Sequence, residues 1–148
     1  MDSLRSNLYS HLGMDMDSDG IMMETRNFSY TELQCKCGCG GNEMKPEFLN
    51  KLQAIRDEFQ KPMRINSGFR CSNHDANVSS SKIAGKGPHT TGHAVDVGIS
   101  GADALHLVEL AVKNGMTGIG IKQKGKGRFC HFDDLTDEAG PRPWIWSY

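Results

Sequence analysis

The sequence predicts an α+β fold, an antiparallel sheet with helices packed on one face. Three observations carry that reading. Two segments, 46–59 and 100–114, place apolar residues at helical spacing. Two alternating stretches, 116–122 and 128–133, flank a Gly-Lys-Gly turn at 125–127 and read as a hairpin. Strands and helices do not alternate as βαβ units, which argues against a parallel doubly wound sheet.

Each element has its own signal. Residues 1–26 are polar, Met-rich and acidic in the middle, and read as a mobile lead to a domain spanning 27–148. Asp15, Asp17, Asp19 and Gly20 match the first half of an EF-hand loop, but its twelfth position, where a bidentate Glu closes the calcium shell, is Arg26. The segment therefore reads as acidic chain rather than a calcium loop. Ser29-Tyr30-Thr31-Glu32 is a capping box that opens a short helix, stopped by the Gly-rich run CKCGCGGN. Pro46 suits a first helical turn, and Phe48, Leu49, Leu52, Ile55 and Phe59 fall on one face of the helix it starts. Pro62 ends that helix, Met63–Ser67 enters the core as a strand, and 71–88 reads as a long polar loop. His93–Ile99 is a strand; Ser100–Asn114 is a helix with Leu105, Val108 and Val112 on one face and Gly115 just past its end. A last short strand carries Trp144 and Trp146.

Composition bounds the function. The 148 residues suffice for one domain with its own core. A net charge of −1, without a basic stripe, speaks against a nucleic-acid groove or a polybasic membrane anchor. No apolar run is long enough to span a bilayer, and the opening residues lack the basic start and apolar stretch of a signal peptide. The expectation is a monomer made in the cytoplasm, with no nucleic acid and no stable membrane association.

The chemistry-bearing residues are a spaced trio, His89, Asp96 and His131. Two imidazoles and a carboxylate are a zinc ligand set, and three protein ligands leave the open position of a catalytic site. His89 and Asp96 are seven apart, which suits a loop that turns at Gly92 and feeds a strand. Asp96 lies between Val95 and Val97, where an unpartnered carboxylate is disfavoured. His93 sits four residues after His89, but the intervening Thr-Thr-Gly does not favour a helical metal pair. Asp133 shares a strand face with His131 and is placed to orient a ligand or accept a proton from water. His74 follows a turn and is a candidate for lining the substrate side.

Four motifs in order, SGFR with CSNHDANV, HTTGHAVD, FCHFD and a terminal WSY, resemble the zinc D-Ala-D-Ala carboxypeptidase family, which includes phage endolysins that cut the L-Ala–D-Glu bond and shares its fold with the Hedgehog amino-terminal domain. The pattern H-x-x-G-x-A-x-D is matched at His89, Gly92, Ala94 and Asp96, and the later H-x-D at His131 and Asp133. The resemblance implies a zinc peptidase acting on peptidoglycan stem peptides, with one catalytic ion on His89, Asp96 and His131 and with Arg70 binding substrate carboxylate or carbonyl. Two departures stand out. Gly87 replaces a Ser two residues before the first His, and Arg128 occupies the place of the acidic base three residues before the last. Asp133 is then the nearest acid in sequence for the base role. The absence of an export signal suits a lysin released to the wall by a partner that breaches the membrane; a non-catalytic peptide-binding module on the same fold is the alternative.

Of five cysteines, Cys35, Cys37 and Cys39 form C-x-C-x-C, with Cys71 and Cys130 distant. Cys35, Cys37, Cys39 and Cys71 are a candidate structural zinc site, although C-x-C is tighter than the usual C-x2–4-C, and ordinary thiols are the reading that spacing favours. Cys130, next to a ligand on the opposite strand face, is expected in the core.

Overall fold

The computed structural model describes residues 14–16, 22–79 and 84–148. Short strands β1 (Met14–Met16) and β2 (Met22–Thr25) pair antiparallel. They are followed by α1 (Tyr30–Leu33), α2 (Pro46–Phe59), β3 (Arg64–Ser67), α3 (Ser72–Val78), a 3-10 turn (Pro88–Thr91), β4 (Ala94–Gly98), α4 (Gly101–Lys113), β5 (Gly118–Lys122), β6 (Phe129–Asp133) and β7 (Trp144–Ser147). The main sheet has order β3-β4-β6-β5-β7; its first four strands are antiparallel neighbours, and β7 runs parallel to β5.

Alternation along the strands divides the molecule into a packed side and a working side. Val95 and Val97 of β4, Ile119 of β5, and Cys130 and Phe132 of β6 are buried in one cluster with Phe48, Leu49, Leu52 and Ile55 of α2 and Leu107 of α4. Each such aliphatic or aromatic side chain taken fully out of water stabilises the fold by about 1.5–3 kcal/mol. The other face carries the polar residues. Cross-strand register there aligns Asp96 with His131, His131 with Gly120, and Gly120 with Trp146, one row across four strands. The next row runs from Ala94 through Asp133 and Gly118 to Trp144.

The two glycines of β5 make these rows possible. A methyl at 118 would collide with the Asp133 carboxylate, and one at 120 would fall 2.7 Å from the Trp146 ring nitrogen. Gly92 is required twice over: its φ is +78°, and a side chain there would strike the Glu43 carbonyl. Its own carbonyl accepts from the Lys45 amide, tying the 3-10 turn to the start of α2.

Three sequence expectations need correcting. The stretch 71–88 is not all loop: α3 forms because the Cys71 sulfur accepts the His74 amide at 3.4 Å, a cap that the usual Ser/Thr/Asp/Asn preference does not signal. Of the α4 face named by Leu105, Val108 and Val112, only Val108 packs against the core. Leu105 is 74% and Val112 58% exposed, whereas Ala104, Leu107, Leu110 and Ala111 face inward, where small alanines let the helix approach α2 and the sheet closely. The packed chain also starts before Asn27: the Glu24 carboxylate accepts the Tyr30 amide, and buried Thr25 donates to Gln53 of α2 at 2.6 Å. Asp15 falls in β1, while Asp17 and Asp19 lie outside the described residues. Among the described residues, no helix is long and apolar enough to cross a membrane.

Candidate metal centre and active-site cavity

His89, Asp96 and His131 converge, all three buried, with one potential ligand atom from each within 4.8 Å of the others. Different elements deliver them: the 3-10 turn, β4 and β6. Their orientation follows from what holds the far side of each ring. His89 Nδ1 lies 2.8 Å from the Gly68 carbonyl. A carbonyl only accepts, so Nδ1 carries the hydrogen and Nε2 presents its lone pair inward. His131 Nε2 lies 2.7 Å from Asp133 Oδ2, so by the same reasoning its Nδ1 faces inward. The two inward nitrogens stand 3.2 and 3.1 Å from the same oxygen, Asp96 Oδ1. Three electron-pair donors thus meet at one point, an arrangement that a divalent cation satisfies and that neutral rings do not. The donor set, two nitrogens and one carboxylate, suits zinc.

The electrostatics express the same crowding. Burial works to raise the Asp96 pKa, but the charge and hydrogen bonds of His89 and His131 overcome it and hold the carboxyl well below the usual range. Burial would depress the His131 pKa; hydrogen bonding and charge from Asp133 and Asp96 raise it instead.

Behind His131 stands a buried support, of which the sequence signalled Asp133 as a residue placed to orient a ligand but not Arg142. Asp133 is fully buried, and Arg142 grips it through Nε to Oδ1 and Nη2 to Oδ2, each 2.9 Å. Burial opposes ionisation of Asp133, yet His131 and Arg142 bring its pKa down to about 2. Both of its oxygens are engaged away from the point where the three ligands meet. This is the geometry of a carboxylate that fixes a metal-ligating histidine.

Arg70 lies beside the cluster. Its Nη2 is 3.4 Å from Asp96 Oδ2, its Nη1 3.4 Å from Asp75 Oδ1, and its Nε donates to Ser67 Oγ at 3.0 Å. Asp75, buried on α3, also accepts the Gly87 amide at 2.9 Å. That accounts for the glycine at 87, because a side chain there would press within 3.0 Å of the Asp75 carboxylate and Ser79 Oγ.

Arg70, His89, Asp96 and His131 open onto a cavity of about 770 Å³. Trp144, Trp146 and Tyr148 of the β7 segment, together with Glu138 and Arg142 from the preceding loop, also line it. Trp146 packs against His131 with ring centroids 5.0 Å apart, and Arg142 lies over the Trp146 ring at 5.1 Å.

Other candidates lie elsewhere. His74 is in the first turn of α3 and does not line the cavity. His93 is bound by Asp134 at 2.7 Å, and Lys51 holds the other oxygen of that carboxylate at 2.9 Å. Arg128 is exposed and donates to the Gly125 carbonyl in the hairpin turn, away from the cavity wall. Cys130 is buried in the core. Cys35, Cys37, Cys39 and Cys71 come together as a second group of potential metal ligands. Burial favours the Cys35 thiol, but hydrogen bonds from the Cys71 and Cys37 amides and the neighbouring thiols draw its pKa down to about 7, while at Cys37 the pull of the Cys39 amide is outweighed by the surrounding thiols, which push that group up to about 12.

Arg142 and Glu138 carry no local motif, and Asp75 lies within CSNHDANV without a role that the motif itself names. Arg142 lies in a Pro-Arg-Pro triplet, and only the unexplained Gly-x-Gly of β5 hinted that something bulky crosses that strand.

The sequence profile of the Peptidase M15 family matches residues 26–133. The chain belongs to this family. It is accordingly a metallopeptidase, and the family's zinc has a fitting donor set in His89, Asp96 and His131. The matched span covers α1 through the end of β6 and so includes all three donors, Arg70 and Asp133. Arg142 and the aromatic wall of β7 lie beyond it. No curated protein matches the chain by sequence.

Proposed function

We propose that this M15 metallopeptidase hydrolyses a peptide bond in the stem peptides of peptidoglycan, with one zinc ion on His89, Asp96 and His131. The observation that carries the reading is the meeting of three inward electron pairs on the floor of an open cavity, next to a guanidinium. Zinc held there supplies a Lewis acid for the scissile carbonyl and lowers the pKa of water.

The chain's own residues divide the remaining work. Arg70 offers a planar fork to a substrate carboxylate or to the carbonyl oxygen as charge develops on it; its contacts to Asp75 and Asp96 are long at 3.4 Å and leave N–H capacity for a ligand. Asp133 acts as a positioning residue: it keeps a proton on His131 Nε2 and so keeps Nδ1 as a donor atom, while Arg142 keeps Asp133 ionised. The role of proton acceptor passes to Glu138, which lines the cavity and accepts a hydrogen bond from Thr136. A glutamate carboxylate, ionised at neutral pH, can take a proton from water and return it to the leaving amine. Trp146 and Tyr148 shelter this space from solvent and offer flat apolar faces to the substrate backbone.

The test is product analysis by mass spectrometry on defined muropeptides, with and without a chelator. Loss of terminal D-Ala identifies a carboxypeptidase, and release between L-Ala and D-Glu an endopeptidase. Binding without cleavage in the zinc-loaded protein would favour a non-catalytic peptide-binding module and refute the hydrolase reading. Glu138→Gln is expected to retain zinc and lose turnover; full turnover would place the proton acceptor elsewhere.

A further inference from the structure

We propose that Cys35, Cys37, Cys39 and Cys71 hold a second zinc ion, a closed structural site that clamps the α1–α2 loop onto the segment presenting Arg70. The distances point to a metal rather than to a disulfide. Cys35 Sγ and Cys37 Sγ are 3.5 Å apart, and Cys37 Sγ and Cys71 Sγ 3.7 Å, with all four sulfurs within 4.8 Å of one another. A tetrahedron with Zn–S bonds of about 2.3 Å has edges of about 3.8 Å, whereas a disulfide brings its sulfurs to about 2.05 Å.

The surrounding backbone is built for thiolates. The Cys71 amide points at Cys35 Sγ, the His74 amide at Cys71 Sγ, and the Gly41 amide at Cys39 Sγ, each at 3.4 Å. Such N–H donors favour sulfur in its charged form, the form that binds metal. The tight C-x-C spacing is accommodated by left-handed turns at Gly38 (φ +91°) and Gly40 (φ +77°), and the loop is closed by the Cys35 amide donating to the Gly41 carbonyl at 2.8 Å. Cys37 and Cys39 are solvent-exposed at the surface of the group, so nothing apolar explains their convergence. Four soft sulfurs, one from each residue, match the closed ligand shell of structural zinc. Thiols that are protonated beforehand release their protons to solvent as the ion binds.

The position of Cys71 gives the site its consequence. It directly follows Arg70, and two residues before Arg70 the Gly68 carbonyl holds His89. The Phe69 amide donates to the Leu33 carbonyl at the end of α1, and no side chain fits at 68 because the same Leu33 backbone occupies that space. The clamp therefore secures the strand of chain that supports both the substrate-binding arginine and one catalytic ligand.

Metal content of the full chain by inductively coupled plasma mass spectrometry is expected to give two zinc ions per chain, one remaining in His131→Ala and one in Cys71→Ser. Cobalt exchanged into His131→Ala is expected to show an intense thiolate-to-cobalt charge-transfer band, which requires no folding of a cysteine variant. In the native protein, Cys37 and Cys39 should react slowly with a thiol reagent until a chelator is added. One zinc per chain that His131→Ala removes, immediate reaction of both exposed thiols, or an intact mass two hydrogens lighter from a disulfide would each overturn the proposal.

Discussion

The His89–Asp96–His131 group and the four-cysteine group are both convergent ligand sets, but one is fixed by strand register and the other by loop geometry. In the first, Asp96 and His131 lie in one row across the sheet and His89 joins them from the 3-10 turn, with Gly68 pinning His89 and Asp133 pinning His131. It opens onto a cavity. The second is wound by glycines around a point at the surface, its sulfurs met by backbone amides and by one another. A donor set with supporting side chains and an open side is suited to reaction, and one that is closed and soft is suited to holding chain together. The segment from Ser67 to Cys71 belongs to both.

The sharpest way to break this contrast is to remove a strand-held donor. Asp96→Ala is expected to abolish activity and the zinc of the cavity site while leaving the cysteine-bound ion, as read by metal analysis; retained turnover would show that the row across the sheet is not the catalytic centre. Next in size is Arg70→Ala, expected to keep full zinc content and to lose on the order of a hundredfold in kcat/KM. A comparable loss of metal would mean that Arg70 serves the ligands rather than the substrate. Arg142→Ala and Asp133→Asn should weaken zinc in the cavity site by about tenfold to a hundredfold, measured by competition with a chromophoric chelator, because they release His131 from its fixed orientation. Unchanged affinity in both would reduce Asp133 to a packing role. Finest of all is the order of metal loss under graded chelator: the three-donor site should empty first with loss of activity, and the thermal midpoint should fall only as the thiolate site empties. A single simultaneous step would show that the two sites are not independent.

The parts of this design that were legible in the sequence are those written locally. H-x-x-G-x-A-x-D announces two donors in part because Gly92 must lack a side chain for the 3-10 turn to sit against Glu43, and Ala94 is fully buried at the start of β4. The helix of Phe48, Leu49, Leu52, Ile55 and Phe59 was legible because all five are buried on one stripe. What was not legible arrives through long-range pairing. Arg142 reaches Asp133 only after the chain turns past β6 and adds β7 parallel to β5. The inward face of α4 was misread because Leu105, Val108 and Val112 are as apolar as Leu107 and Leu110, and tertiary docking chose between two stripes of similar character. Asp133 was legible as a neighbour of His131 on one strand face, placed to orient it or to accept a proton, and the fold sets its Oδ2 2.7 Å from His131 Nε2.

One glycine shows where part of the centre's precision is stored. The Asp133 carboxylate lies in the space that a methyl group at 118 would need, so the orientation of His131 depends on an atom that is not there. A scan that trims side chains would pass over this position, since it has nothing to trim. Evolution can tune the centre from here without touching the cavity: Gly118→Ala is the smallest possible enlargement, yet it would push the carboxylate, tilt the imidazole and shift the metal's third donor from a strand that contributes no ligand of its own.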